Sequence, residues 1–147
     1  MSPLLQFDES LVRVKKFDYE SCLLADRHYS RQKVGTNQFM PPGKTIVLRS
    51  RAGDVVFGWL WQNKRDDGEQ GFNCSIFRNE SSRQSSEIIL EAEKAAVLEW
   101  GQNRGFTYID PDNVSANPGY CFKCAGWRYV RQTTSGLHLL EKMELGT

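Results

Sequence analysis

Residues 71–101, GFNCSIFRNE followed by SSRQSS and EIILEAEKAAVLEWG, read as a strand, a turn and a helix. Phe72, Cys74 and Ile76 alternate with Asn73, Ser75 and Phe77, and a two-residue period puts the first three on one face of a strand. Ile88, Ile89, Ala92, Ala95, Ala96 and Trp100 recur at three- and four-residue steps, which makes one face of a helix. Ser85 or Ser86 suits the helix cap, Glu87 complements the positive end of the helix dipole, and Gly101 can stop the run. A polar turn feeding a helix N-terminus presents unpaired backbone N–H groups. They can seat a phosphate or an oxyanion, or the turn can simply join two packed elements.

On the N-terminal side, Leu11–Phe17 alternates apolar and basic residues as an opening strand, and 19–28 follows as a helix with Cys22, Leu23 and Leu24 inward. Residues 30–43 form a polar loop closed by Pro41-Pro42-Gly43, where no helix continues. Thr45–Leu48 and Val55–Trp61 flank the turn Arg51–Asp54 as a hairpin, and a second turn, 63–70, leads into the strand already described. On the C-terminal side, Phe106–Ile109 is a short strand ending at Asp110-Pro111. Asn117-Pro118-Gly119 opens a short helix running to Ala125, with Pro118 at an early helical position. Trp127–Gln132 and Leu137–Lys142 close the chain as a hairpin. Three strands in hairpins followed by a helical crossover make a mixed α/β (α+β) domain. Its sheet is mostly antiparallel, has about seven strands and is flanked by helices. The strand after the crossover should run parallel to the one before it, and the pair should splay near 78–86, a switch-point crevice where open sheets bind ligands.

The 147 residues are expected to form one domain, with ordinary composition at 39% hydrophobic and 25% charged residues. No run approaches the roughly 18 apolar residues of a membrane helix and no signal peptide is recognised, so a cytoplasmic protein away from membranes is expected. Its four cysteines should then stay reduced. Residues 11–51 hold nine lysines and arginines against three acids, while 52–112 hold six against eleven. A basic N-terminal third suits a polyanion, or is a solvated face.

The order of elements resembles the GNAT acyltransferase superfamily over nearly the whole chain, with NPGYCFKCAGW (117–127) as the clearest local marker. Two features depart from that pattern. RNESSRQSS (78–86), where the superfamily carries a glycine-rich diphosphate turn, has no glycine, and Phe122 stands where a thiolate-reprotonating Tyr is common. DRHYSRQ (26–32), QFMPPG (38–43), FRNES (77–81), SSEII (85–89), YIDP (108–111) and 117–127 together resemble the Mom family of phage DNA-modification proteins, a divergent GNAT branch. The resemblance implies a transferase in a bacterial host that adds a carbamoylmethyl- or acyl-type group to the exocyclic amine of adenine in double-stranded DNA, protecting it from restriction. A small-molecule donor, acetyl-coenzyme A or a related acyl carrier, and iron are the cofactors it brings into view. The rival expectation is a conventional acetyl-coenzyme A-dependent N-acetyltransferase for a small amine or protein lysine. The oligomeric state stays open, a dimer being the form considered.

Chemistry at an aromatic amine needs a base and donors that hold developing charge. His28, Tyr29 and Ser30 sit where the first helix gives way to the loop, and Asp110 ends the strand after the crossover. On residue type alone they are a helix end and a turn. The resemblance makes them the expected catalytic set, with His28 and Asp110 the candidates for a metal. Arg78, Asn79, Ser85 and Ser86 in the turn, with Asn117 and Tyr120 at the later helix, are the expected donor-binding residues. Arg27, Arg31, Lys33 and Lys44 are the expected DNA contacts beside the crevice. Cys121 and Cys124, three apart on a helix, are expected to pack, since no second cysteine pair completes a zinc site. Trp59 and Trp61 share a strand face and are core, or one of them stacks a flipped base.

Overall fold

The structure, a computed structural model, describes residues 10–26, 39–63, 65, 67–113 and 117–147. Its strands are β1 (Val12–Val14), β2 (Thr45–Arg49), β3 (Val55–Gln62), β4 (Gly71–Asn79), β5 (Gly105–Ile109), β6 (Arg128–Gln132) and β7 (His138–Lys142). Helices α1 (Tyr19–Ala25), α2 (Ser85–Trp100) and α3 (Tyr120–Cys124) complete the described elements, together with one 3-10 turn at Pro111–Asn113. The seven strands form one sheet in the order β1-β2-β3-β4-β5-β7-β6. Every neighbour is antiparallel except β4 and β5, the pair joined through α2. The mixed, mostly antiparallel sheet with a central parallel pair is the architecture expected from the order of periods.

Two apolar layers sandwich the sheet. Ile89, Ala92 and Ala96 of α2, with Phe122 of α3, pack on Ile46, Phe57, Trp59, Phe72 and Cys74. On the other face Cys22, Leu24 and Ala25 of α1 pack on Val47, Val56, Leu60 and Ile76. All four tryptophans belong to the α2 side: Trp59 and Trp127 lie within that core and stack on each other, while Trp61 and Trp100 pack against it. Trp59 also donates its Nε1–H to the Ala92 carbonyl at 2.9 Å, tying β3 to the middle of α2.

A one-residue irregularity shapes the centre. Gly58 pairs with Ile76 but Trp59 pairs with Cys74, leaving Ser75 as an extra residue in β4. Such a bulge bends its strand and breaks the alternation. Phe72 and Cys74 therefore face α2, whereas Ile76 joins the α1 core and Phe77 turns to the α2 side. The single face expected for Phe72, Cys74 and Ile76 is corrected by this bulge. Gly58 is required beside it, because a Cβ there would stand 2.4 Å from the Met40 sulfur.

Several local expectations also shift. In α1, Asp18 caps the start by accepting from the Ser21 N–H at 3.0 Å, and Leu23, expected inward, is 44% exposed while Ser21 is buried. The N-cap of α2 is Gln84, with no side-chain cap bond, so Ser85 and Ser86 lie inside the helix rather than capping it. Gly101 does end α2, at φ 86°. Pro118 precedes α3 instead of opening it, since Gly119 at φ 74° is the N-cap.

The C-terminal residues are fastened by a buried charge pair. Glu93 of α2 takes Lys142 Nζ at 2.8 Å and the Gly146 N–H at 2.9 Å on one oxygen, and Trp127 Nε1 at 3.0 Å on the other. Lys142 spends its other donors on the carbonyls of Ala125 at 3.0 Å and Thr147 at 2.9 Å.

Candidate functional site

The strands β4 and β5 share only three pairs, Phe72–Gly105, Asn73–Phe106 and Cys74–Thr107. Beyond Cys74, β4 runs on to Asn79 and β5 to Ile109 without pairing, so the sheet forks at the bulge. The Thr107 hydroxyl closes the crotch by donating to the Cys74 carbonyl at 2.8 Å. The splay expected for the central parallel pair is present, and the Ser75 bulge is its local cause.

On the α2 side, apolar groups line the fork. Phe77 meets Phe122 edge to face at 6.0 Å, and Ile109 belongs to the same core. Gly119 passes so close that a Cβ would lie 2.1 Å from Leu140 Cδ1. The lip that stays accessible is α3, with Asn117 and Tyr120 exposed. A hydrogen bond with Cys124 holds the Tyr120 hydroxyl above its ordinary 10.0, and Asn117 accepts from Lys123 Nζ at 2.8 Å. Cys121 and Cys124 do not pack as a pair: Cys121 is half-buried, with its thiol raised by burial, and Cys124 is exposed.

The turn after β4 is held by its own side chains. Asn79 Nδ2 donates to the Arg83 carbonyl and to Ser85 Oγ, both at 2.9 Å, and its Oδ1 accepts from the N–H and the hydroxyl of Ser81. Two donors and two acceptor sites are all an amide has, so Asn79 builds the turn and has nothing left for a donor molecule. Arg78 pairs with Glu80 at 3.0 Å and Arg83 with Glu91 at 3.6 Å. Ser86 makes no hydrogen bond through its side chain among the described residues. It is the member of the expected set whose hydroxyl is available beside the uncapped start of α2. This turn does not match a glycine-cradled diphosphate seat, because Asn79 and Ser81 fill the inside of the loop.

Asp110 follows β5 at the open end of the fork. Its oxygens accept from the Asp112 N–H at 3.0 Å and from Asn113 Nδ2 at 2.6 Å, so it also shapes the 3-10 turn. His28, Tyr29 and Ser30, and with them Arg27, Arg31 and Lys33, lie outside the described residues. Lys44 precedes β2, whose first residue Thr45 pairs with Leu60, itself opposite Asn73. Lys44 is thus level with the closed end of the fork and two strands away from β4, not beside the crevice. Among the described residues no cluster of three His, Cys, Asp or Glu side chains could hold a metal ion.

On the opposite face the fork adjoins a polar cleft of about 580 Å³, lined by Arg65, Asp67, Glu69, Tyr108, Arg131 and the β6–β7 turn 133–137. Tyr108 is the first β5 residue past the last parallel pair. Its hydroxyl donates to Asp67, and the Arg65 guanidinium lies 4.6 Å from its ring centroid. Burial, then the bond to Asp67, raises the Tyr108 hydroxyl far above its ordinary value and keeps it protonated. Burial also pushes the Asp67 carboxyl up, but the bonds from Tyr108, the Glu69 N–H and Arg65 outweigh it and hold Asp67 below 3.8. An ionised carboxylate polarising a neutral phenol in a cleft is an arrangement that enzymes use to orient substrates. Sequence reading missed Tyr108, Asp67 and Arg131. The available signal was the alternation of Phe106 and Tyr108 against Thr107 and Ile109, which the run of apolar residues disguised. No described helix is long and apolar enough to cross a membrane. No family model, no curated protein and no solved structure matches this chain.

Proposed function

We propose that this chain is a GNAT-like, Mom-type transferase acting on the exocyclic amine of adenine in double-stranded DNA in the bacterial cytoplasm, using a small-molecule donor. What carries the reading is the fork: a central parallel pair that separates at a bulge, with a polar cleft against its far face. In the reaction a bond forms between the amine nitrogen and the transferred carbon. The bond from that carbon to its carrier breaks with its electron pair, and one amine proton leaves to a base. In this reading Asp110 takes that proton, directly or through His28 or Tyr29, and the cleft at Tyr108 receives the acceptor. In the same reading Ser86 at the start of α2 and Tyr120 on α3 meet the donor. No step is routed through iron, since the described residues do not assemble its ligands.

The test is direct. The protein is expressed, host DNA is digested to nucleosides, and mass spectrometry looks for a new adenine species. The species is expected in cells making the wild-type chain and absent with Asp110→Ala or Tyr108→Phe proteins that fold normally. Unaltered nucleosides together with saturable acetyl-coenzyme A binding would replace this reading with a conventional N-acetyltransferase.

A further inference from the structure

Positive charge is divided unevenly between arginine and lysine. At least eight of the nine described arginines stand in ion pairs with carboxylates. Lys15, Lys16 and Lys44 enter no ion pair among the described residues, and they share one corner of the sheet. Arg13, Lys15, Lys16, Phe17 and Thr45 line a cleft there of about 560 Å³, and Lys44 adjoins Thr45. Among the described residues the acids that follow them, Asp18 and Glu20, are both held by Arg49, Asp18 at 3.0 Å, and Glu99 holds Arg13 at 3.0 Å. A short edge strand such as β1, with Arg13 in it and two lysines just after it, also discourages edge-to-edge pairing. That role does not account for the aromatics beside the lysines: Phe17 is 49% exposed with Lys16 Nζ 5.6 Å from its ring centroid, and Tyr19 is 73% exposed.

Uncompensated lysines around exposed flat rings fit one class of partner. We propose that this corner docks the phosphodiester backbone of nucleic acid, with Lys15, Lys16 and Lys44 at phosphates and Phe17 and Tyr19 against bases or sugars. Taking DNA as that nucleic acid rests on the function proposed above. The surface lies at the closed end of the fork, so it would hold backbone flanking the target base rather than the base itself.

The test measures fluorescence anisotropy of a labelled 20-mer, single-stranded and duplex, between 50 and 200 mM salt. Three lost phosphate contacts should flatten the plot of log affinity against log salt by about 2.7 for duplex and about 2.1 for single strands. That change is expected for the Lys15→Gln/Lys16→Gln/Lys44→Gln protein, with circular dichroism and melting unchanged. Phe17→Ala should weaken the single strand several-fold more than the duplex. A triple variant with the wild-type salt slope overturns the docking surface even if the wild-type chain modifies adenine. Corner-dependent binding without any modified nucleoside supports the surface and removes the function. Binding to vesicles of anionic phospholipid, lost in the triple variant, with no affinity for either oligonucleotide, overturns the proposal in favour of a membrane.

Discussion

Replacing Lys142 by Met should destabilise the fold by about 3–5 kcal/mol, because it leaves the Glu93 carboxylate charged and dry with only neutral donors. The site justifies the upper half of that range. Glu93 is 0% and Lys142 8% exposed, so water does not screen the orphan. Glu93→Gln should cost a similar amount by stranding the ammonium against two carbonyls. The double variant Glu93→Gln/Lys142→Met removes both charges, while the amide still accepts from Trp127 or the Gly146 N–H. It should fall within about 1–2 kcal/mol of wild type, well short of the sum of the single losses. A domain of this kind has only about 5–15 kcal/mol to lose, so each single effect is large. Urea unfolding followed by tryptophan fluorescence reads all four proteins, with Trp127 reporting on the pair itself. Single variants within about 1 kcal/mol of wild type, or a double variant as poor as the sum, would refute the view that this is a desolvated, mutually dependent pair.

Three further outcomes are expected. Gly119→Ala combines a left-handed φ of 74° with a Cβ placed 2.1 Å from Leu140 Cδ1; it should cost about 2–4 kcal/mol in a thermal melt. At Glu141, burial pushes the carboxyl up, but the hydrogen bonds from Arg104 and Arg128 outweigh it and hold the group below its ordinary 4.5. Its folded value therefore lies under the unfolded one, so its contribution is full above about pH 4.5 and fades as the pH falls through the folded value. Glu141→Gln should lower the denaturation midpoint at pH 7 and flatten its decline in acid. Tyr108→Phe keeps the ring under Arg65 and loses only the bond to Asp67, so stability should fall by about 0.5–1.5 kcal/mol. Adenine modification should fall by far more than that change explains, as nucleoside mass spectrometry would reveal.

Short-range order was legible in the chain by itself. Alternation marked the strands, three- and four-residue steps marked α2, and Gly101 marked its end, because these periods follow from the geometry of one element. The order of those elements was enough for a mixed sheet with a parallel central pair and a fork. Tertiary packing decided the rest. Residue spacing did not reveal that Ser75 would bulge and send Ile76 to the opposite core, since a bulge arises only when β3 and β4 are paired. Glu93 reads as one more surface acid of a helix until Lys142, Trp127 and Gly146 arrive from the far end of the chain to enclose it. Asn79 reads as a ligand for a donor until the turn is closed and its amide is used up. Asp67, Tyr108 and Arg131 come from a hairpin turn, a central strand and an edge strand, and no local period links them. Periodicity records what a residue does within its own element, whereas a site is made by contacts between elements distant in sequence.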